Sequence, residues 1–231
     1  MALYVIGDTH FSEGCEKPMD VFGGRWIGYR DKLIQGLSVL QEEDTLVLCG
    51  DFSWGMSLQE ALPDFRLLDS FPGRKLLLKG NHDYWWETVA KMQRFFSENH
   101  IKSIDFLHNN CFTYNEVVLC GTRGWFFDKN DQSTTEDKIF KREVMRLEAS
   151  LKCGKQVGGE KLMCFLHYPP VCGGTEVPQM TELLQRYGVD TCYYGHLHGD
   201  AIRGAFNGVK NGVSYRLISA DALSFRPVRI L

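Results

Sequence analysis

The stretch Lys75-Leu76-Leu77-Leu78-Lys79, followed directly by Gly80-Asn81-His82-Asp83, decides the fold. Three consecutive leucines between breakers are too short for a helix and read as a buried strand. The strand runs straight into a tight-turn residue, an amide, an imidazole and a carboxylate. The same arrangement recurs along the chain. Leu3-Tyr4-Val5-Ile6 leads into Gly7-Asp8-Thr9-His10, and Leu46-Val47-Leu48-Cys49 into Gly50-Asp51. Leu162-Met163-Cys164-Phe165-Leu166 leads into His167, and Cys192-Tyr193-Tyr194 into Gly195-His196-Leu197-His198. Ligands at the carboxyl ends of neighbouring strands of an open sheet point into one crevice. Five such strand ends are expected to build one site.

The segments between them fill in an α/β pattern. A long irregular loop, residues 11–29, follows the first strand and is expected to serve the site. Leu33, Leu37 and Leu40 mark a helix, and Ser57 is placed to cap a second one carrying Leu58, Leu62, Phe65 and Leu68. Trp85, Val89, Met92 and Phe96 fall at helical spacing and predict a third. This β-α-β-α-β-α start implies a parallel, doubly wound sheet. Residues 104–107, 111–114 and 117–120 are short runs between Asn-rich turns and suggest antiparallel pairing. Residues 121–135 read as a polar loop holding Arg123, Trp125, Phe126 and Phe127. Phe140, Val144, Leu147 and Leu151 mark a further helix, and Met180, Leu183, Leu184 and Tyr187 the last. The C-terminal part reads as all strand, residues 201–206 included, with hairpin signals at Asn207-Gly208 and Asn211-Gly212.

The 231 residues are enough for a core that holds a polar site without disulfides. No linker or low-complexity tract divides them, so one domain over residues 1–231 is expected. A net charge of −3 gives no basic footprint, which argues against binding a nucleic-acid polymer. The eight cysteines are irregularly spaced, several within apolar strand-like runs, as reduced core residues are. No apolar run approaches the ~20 residues of a membrane span, and the first strand follows Met1 too closely to leave room for a signal peptide. The expectation is a cytoplasmic protein without a membrane partner; oligomeric state is left open.

The candidate metal ligands are Asp8, His10, Asp51, Asn81, His167, His196 and His198. Seven side chains exceed one four-coordinate zinc site but suit two ions sharing a carboxylate bridge. Imidazole, carboxylate and amide oxygen together suit Mn²⁺, Fe, Zn²⁺ or Ni²⁺ better than Cu(I) or Ca²⁺. The glycines before Asp8, Asp51, Asn81 and His196 are expected to let the strand ends turn. Five of the seven histidines lie in these motifs, so their ordered recurrence is hard to ascribe to chance.

Asp8-Thr9-His10, Gly50-Asp51, Gly80-Asn81-His82-Asp83, His167 and Gly195-His196-Leu197-His198 resemble, in that order, the calcineurin-like metallophosphoesterase signature. Residues 17–23, 50–54 and 121–125 further resemble a little-characterised bacterial branch of predicted phosphohydrolases. The resemblance implies a four-layer α-β-β-α sandwich with two mixed sheets and a dinuclear site. It puts Asp8, His10, Asp51 and His198 on one metal, and Asp51 as bridge with Asn81, His167 and His196 on the other. His82 would stay off the metals and act on the leaving group as general acid. The protein Ser/Thr phosphatase branch carries a second aspartate where Trp54 stands, and an arginine where Lys79 stands. The carboxylate that would orient His82 is therefore missing at that position.

The reaction implied is hydrolysis of a small phosphoester, a diester in preference, by a hydroxide formed between two divalent ions (Mn²⁺, Fe or Zn²⁺). The alternatives are a phosphomonoesterase or protein phosphatase, or a non-catalytic metal-binding scaffold. Trp54, Tyr84 and Trp125 are candidates for holding a flat or apolar group, and Arg25 and Arg123 for forking onto a phosphate oxygen.

Overall fold

The computed structural model describes residues 1–125 and 134–231; Phe126 and Phe127 lie outside the described residues. The first half alternates as expected: β1 (Leu3–Ile6), α1 (Tyr29–Leu37), β2 (Thr45–Leu48), α2 (Leu62–Asp69), β3 (Arg74–Leu77), α3 (Val89–Glu98) and β4 (Ile104–Phe106). Then come β5 (Cys111–Tyr114), β6 (Val117–Thr122), α4 (Thr134–Val157), β7 (Lys161–Leu166) and a small hairpin, β8 (Val171–Cys172) with β9 (Thr175–Glu176). The chain closes with α5 (Pro178–Arg186), β10 (Thr191–Tyr194), β11 (Gly208–Lys210), β12 (Val213–Leu217) and β13 (Val228–Arg229).

Two mixed sheets result. One has the order β13-β1-β2-β3-β4, parallel except at β13, and the other the order β11-β12-β10-β7-β6-β5, parallel in its middle. Period-two alternation explains why the leucine run is apolar throughout. Leu76 and Leu78 face the second sheet, in a core with Leu3, Val47, Leu119 and Phe165. Leu77 faces outward into a second core, where helices α1 to α3 cover the first sheet with Leu33, Phe65 and Phe96. A third core lies under α4 and α5, where Leu147 and Leu184 cover Cys164, Cys192 and Leu217. Helices, sheet, sheet and helices are the four layers, so the first sheet is covered by helices on one face only and is not doubly wound.

Several local expectations change. β4 pairs in parallel with β3 and not with β5. Asn110 accepts from the His108 amide at 2.7 Å and donates to the Phe106 carbonyl, carrying the chain from one sheet to the other. Trp85 precedes α3, which Thr88 caps by accepting the Lys91 amide. Ser57 accepts the Glu60 amide in a turn ahead of α2. Residues Gly199–Gly204 form a 3-10 helix rather than a strand. Asn211-Gly212, both in the left-handed region, make the β11–β12 turn, whereas Asn207 accepts the Leu217 amide. No helix among the described residues is long and apolar enough to cross a membrane.

Candidate metal centre

Parallel strands β1, β2 and β3 end together and deliver Asp8 with His10, Asp51, and Asn81 with His82. From the facing sheet, β7 delivers His167, and β10 delivers His196 and His198. The expected role of the glycines needs correction. Of the four only Gly50 has a positive φ (+84°), while Asp8 (+59°), His10 (+48°), Asp51 (+49°) and His196 (+74°) take the left-handed region themselves. Each such residue costs about 1–3 kcal/mol, strain typical of a site held by its surroundings. Gly80 and Gly195 serve close approach instead: a Cβ would stand 2.1 Å from Asp51 Oδ1 at the first and 2.4 Å from Asp8 Oδ2 at the second.

The seven predicted ligands converge. Asp51 Oδ2 lies 3.8 Å from His10 Nε2 and 3.6 Å from His167 Nε2. Asp8 Oδ1 lies 3.4 Å from His198 Nε2 and 3.6 Å from His167 Nδ1. Asn81 Oδ1 sits 2.6 Å from His167 Nε2 and 2.9 Å from His196 Nδ1. Asp8, His10 and His198 form one group able to hold an ion, and Asp8, Asp51 and His167 another. The donors are prepared as metal ligands usually are. His167 Nδ1 meets the Cys49 carbonyl at 3.0 Å and His198 Nδ1 meets Asp221 Oδ1 at 2.9 Å, leaving each Nε2 to face the centre. His198 Nε2 is buried without a hydrogen-bond partner among the described residues, as a donor awaiting a cation is. The residues fit divalent ions.

Charge is distributed unevenly over this cluster. Burial would raise Asp8, but His198, His167 and His10 hold it below the usual carboxylate range. Burial and the Asp8 charge push Asp51 up to about 8. Burial works against a charged His198, yet Asp8 and Asp221 raise it to about 10. Burial and His167 drive His196 down to about 3, and His10 and His167 are lowered by burial first.

His82 belongs to neither of these donor groups. Its amide donates to Asp51 Oδ1 at 2.7 Å, and its ring lies 4.5 Å from Trp54. His10, His82, His198, Trp54 and Arg25 line a cleft of about 650 Å³, with Met19, Phe22, Trp26 and Ile202 among its apolar residues. Its lining does not include Tyr84, Arg123 or Trp125. Tyr84 is exposed, 6.3 Å from the His82 ring. Arg123 pairs with buried Glu143 at 3.1 Å, which it shares with Arg146, and lies over the Trp125 ring, on the side of the second sheet's helix. Trp125 packs on Tyr168, which packs on His196.

Residues given no role in the sequence reading hold the site in place. Asp83, fully buried, accepts from the amides of Asp51, Phe52, Ser53 and Gly80 and from Trp85 Nε1. Asp221 takes the Gly199 amide on its second oxygen. Tyr29 donates to the His10 carbonyl at 3.0 Å and ties the long loop to the first ligands.

A family model described as calcineurin-like phosphoesterase matches residues 1–200. Among solved structures, a phosphopantetheinyl hydrolase from Mycobacterium tuberculosis is 14% identical, covering 100% of this chain and 95% of that one at TM-score 0.64. A protein of unknown function from Aquifex aeolicus is 17% identical, covering 99% and 95% at TM-score 0.53. A Thermus thermophilus protein is 11% identical, covering 86% and 83% at TM-score 0.54. At such identities the likeness shows a shared fold. No curated protein matches the chain by sequence.

Proposed function

The chain belongs to the calcineurin-like phosphoesterase family, and from that premise we propose that it is a phosphodiesterase for small organic phosphoesters, loaded with two divalent ions. Membership makes it a metal-dependent phosphoric ester hydrolase. The observation that carries the finer reading is the meeting of seven donors and one non-ligating imidazole, His82, beside a largely apolar cleft. Asp8, His10, Asp51 and His198 would hold one ion, and Asp51, Asn81, His167 and His196 the other, with Mn²⁺, Fe or Zn²⁺ suited to the donors. Bound there, two divalent ions neutralise phosphoryl charge and supply a nucleophile from water near neutral pH.

His82 acts on the leaving group. Its Nδ1 is buried, which leaves the other ring nitrogen to hand a proton to the departing oxygen. Met19, Phe22, Trp26 and Ile202 receive the organic arm and keep water from it. A diester is favoured because it carries one negative charge and a second substituent. The cleft offers apolar wall for that substituent, and Arg25 in its lining can hold the one remaining charge. The name of the Mycobacterium tuberculosis neighbour gives a phosphopantetheinyl group as what it hydrolyses, in keeping with an organic arm.

The test is a panel of mono- and diesters assayed with Mn²⁺, Fe²⁺ and Zn²⁺. Diesters turning over faster than matched monoesters is the expected result; a preference for monoesters overturns the diester assignment, and no ester turnover with any ion overturns the whole reading. His82→Ala is expected to keep its metal and lose roughly 10²–10⁴ in turnover on esters with alkoxide leaving groups, with much less lost on nitrophenolate. Metal analysis beside the kinetics checks it, since a ligand would lose its ion.

Loading is also expected to be proton-linked. In the metal-free protein near pH 7, His198 (about 10) and Asp51 (about 8) both carry protons that a cation must displace. Affinity therefore rises with pH, with about two protons released per loaded centre below pH 8 and fewer above it, where Asp51 is already ionised. Calorimetry in buffers of different ionisation enthalpy counts them; a release of none shows that Asp51 is ionised and His198 neutral before loading.

A further inference from the structure

Trp54 stands three residues past Asp51, and its ring forms a close triangle with two imidazoles. The ring centroids lie 4.9 Å from His10, at 23° between planes, and 4.5 Å from His82, while His10 and His82 are 5.8 Å apart. The His82 backbone is fixed, its amide donating to Asp51 and its carbonyl accepting from Tyr84. The His82 ring is not: its Nδ1 is buried and has no hydrogen-bond partner among the described residues. A catalytic imidazole is ordinarily aimed by a hydrogen bond to the ring nitrogen away from the substrate. Here packing is what restrains it.

Trp54 is itself rigidly placed. Its amide donates to the Phe11 carbonyl at 2.9 Å, and the residue before it is held by Asp83 and Asp64. Its indole Nε1 is buried and unpartnered too, so the residue is kept for its flat surface rather than for a hydrogen bond. Tyr84, the other ring near His82, is 6.3 Å away and exposed, too distant and too free to fix an orientation.

We propose that Trp54 is the positioning residue of His82, aiming the imidazole at the leaving oxygen by ring packing where no carboxylate does so. The inference rests on the general-acid reading of His82 given above. Removing the indole leaves a gap beside the imidazole, and a displacement of about 1 Å in a catalytic group can cost 10²-fold. The loss belongs to the proton-transfer step alone, so it must vanish wherever His82 is not used.

The experiment is a double-mutant cycle of Trp54→Ala and His82→Ala, read on one diester with an alkoxide and one with a nitrophenolate leaving group, with metal content measured throughout. Trp54→Ala is expected to lower kcat on the alkoxide ester by roughly 10–10² and to change the nitrophenolate ester by about twofold at most, the scatter of independent sites. On the His82→Ala background it should change neither, and Trp54→Phe should restore most of the alkoxide rate. Equal losses on both esters, losses that add to those of His82→Ala, or loss of a metal ion each overturn the proposal. Should Trp54→Ala not fold, Trp54→Leu fills the space without a flat face and carries the same comparison. If His82→Ala shows no dependence on the leaving group, the general-acid reading itself falls, an outcome distinct from a failure confined to Trp54.

Discussion

Asp51→Asn is expected to empty both metal positions and to lower turnover by roughly 10³-fold or more. The single oxygen Asp51 Oδ2 lies between His10 Nε2 at 3.8 Å and His167 Nε2 at 3.6 Å, ligands from opposite sheets. The proposed ligand set has two carboxylates against two dications, so neutralising one removes half of the compensating charge. In a buried centre that loss is not screened by water. The fold has little reason to change, because an asparagine oxygen can still accept the His82 amide in place of Asp51 Oδ1. His10→Ala removes one neutral donor and should cost one ion. Asp8→Asn is the discriminating control, since Asp8 belongs to both groups that could hold an ion. Elemental analysis of the three variants decides. Equal losses in Asp51→Asn and His10→Ala would show that Asp51 is not the bridge.

What the sequence made legible is what local pattern encodes. Five apolar runs ended in polar side chains, and parallel strands put those ends side by side without further information. The alternation that sends Leu76 and Leu78 to one core and Leu77 to another is a property of the strand alone. Long-range hydrogen bonding was not legible. Asp83 was visible as a motif residue, but three of its partners are amides 30 to 32 residues earlier. Asp221 follows His198 by 23 residues. It obeys the rule used for the others, standing just past the apolar end of β12, whose parallel neighbour is β10, and extending the rule to that strand would have found it. Arg123 reads as a phosphate ligand only while its partner is unknown; Glu143 lies 20 residues on, in α4. Asn109-Asn110 carries turn chemistry in either case, and only the packing of Ile104 and Phe106 under α3 decides that the turn crosses between sheets.

The largest effect on stability is expected at Asp83. Its two oxygens accept five N–H groups, three on Oδ1 from Phe52, Ser53 and Trp85 and two on Oδ2 from Asp51 and Gly80. These donors come from the ends of β2 and β3 and from the segment leading to α3, so one side chain ties together the backbone that carries Asp51 and Asn81. Asp83→Ala would leave them facing a cavity. An unsatisfied buried donor costs about 1–3 kcal/mol; allowing for relaxation and a trapped water, about 4 kcal/mol or more is expected. Asp83→Asn keeps one acceptor but turns an NH₂ group towards donors, and should fall between wild type and alanine. Burial and the Asp51 charge push the Asp83 pKa up to about 7, while the five donors favour the ionised form. Denaturation at pH 8, above that value, therefore compares the variants with a charged acceptor. Chelated protein should be used, so that lost metal affinity is not counted as lost stability. A decrease below about 1 kcal/mol for Asp83→Ala, within the net worth of a single ordinary hydrogen bond, would mean that sheet pairing alone holds these turns. Metal affinity gives the second readout: since both turns carry proposed ligands, Asp83→Ala should weaken loading even where the fold survives.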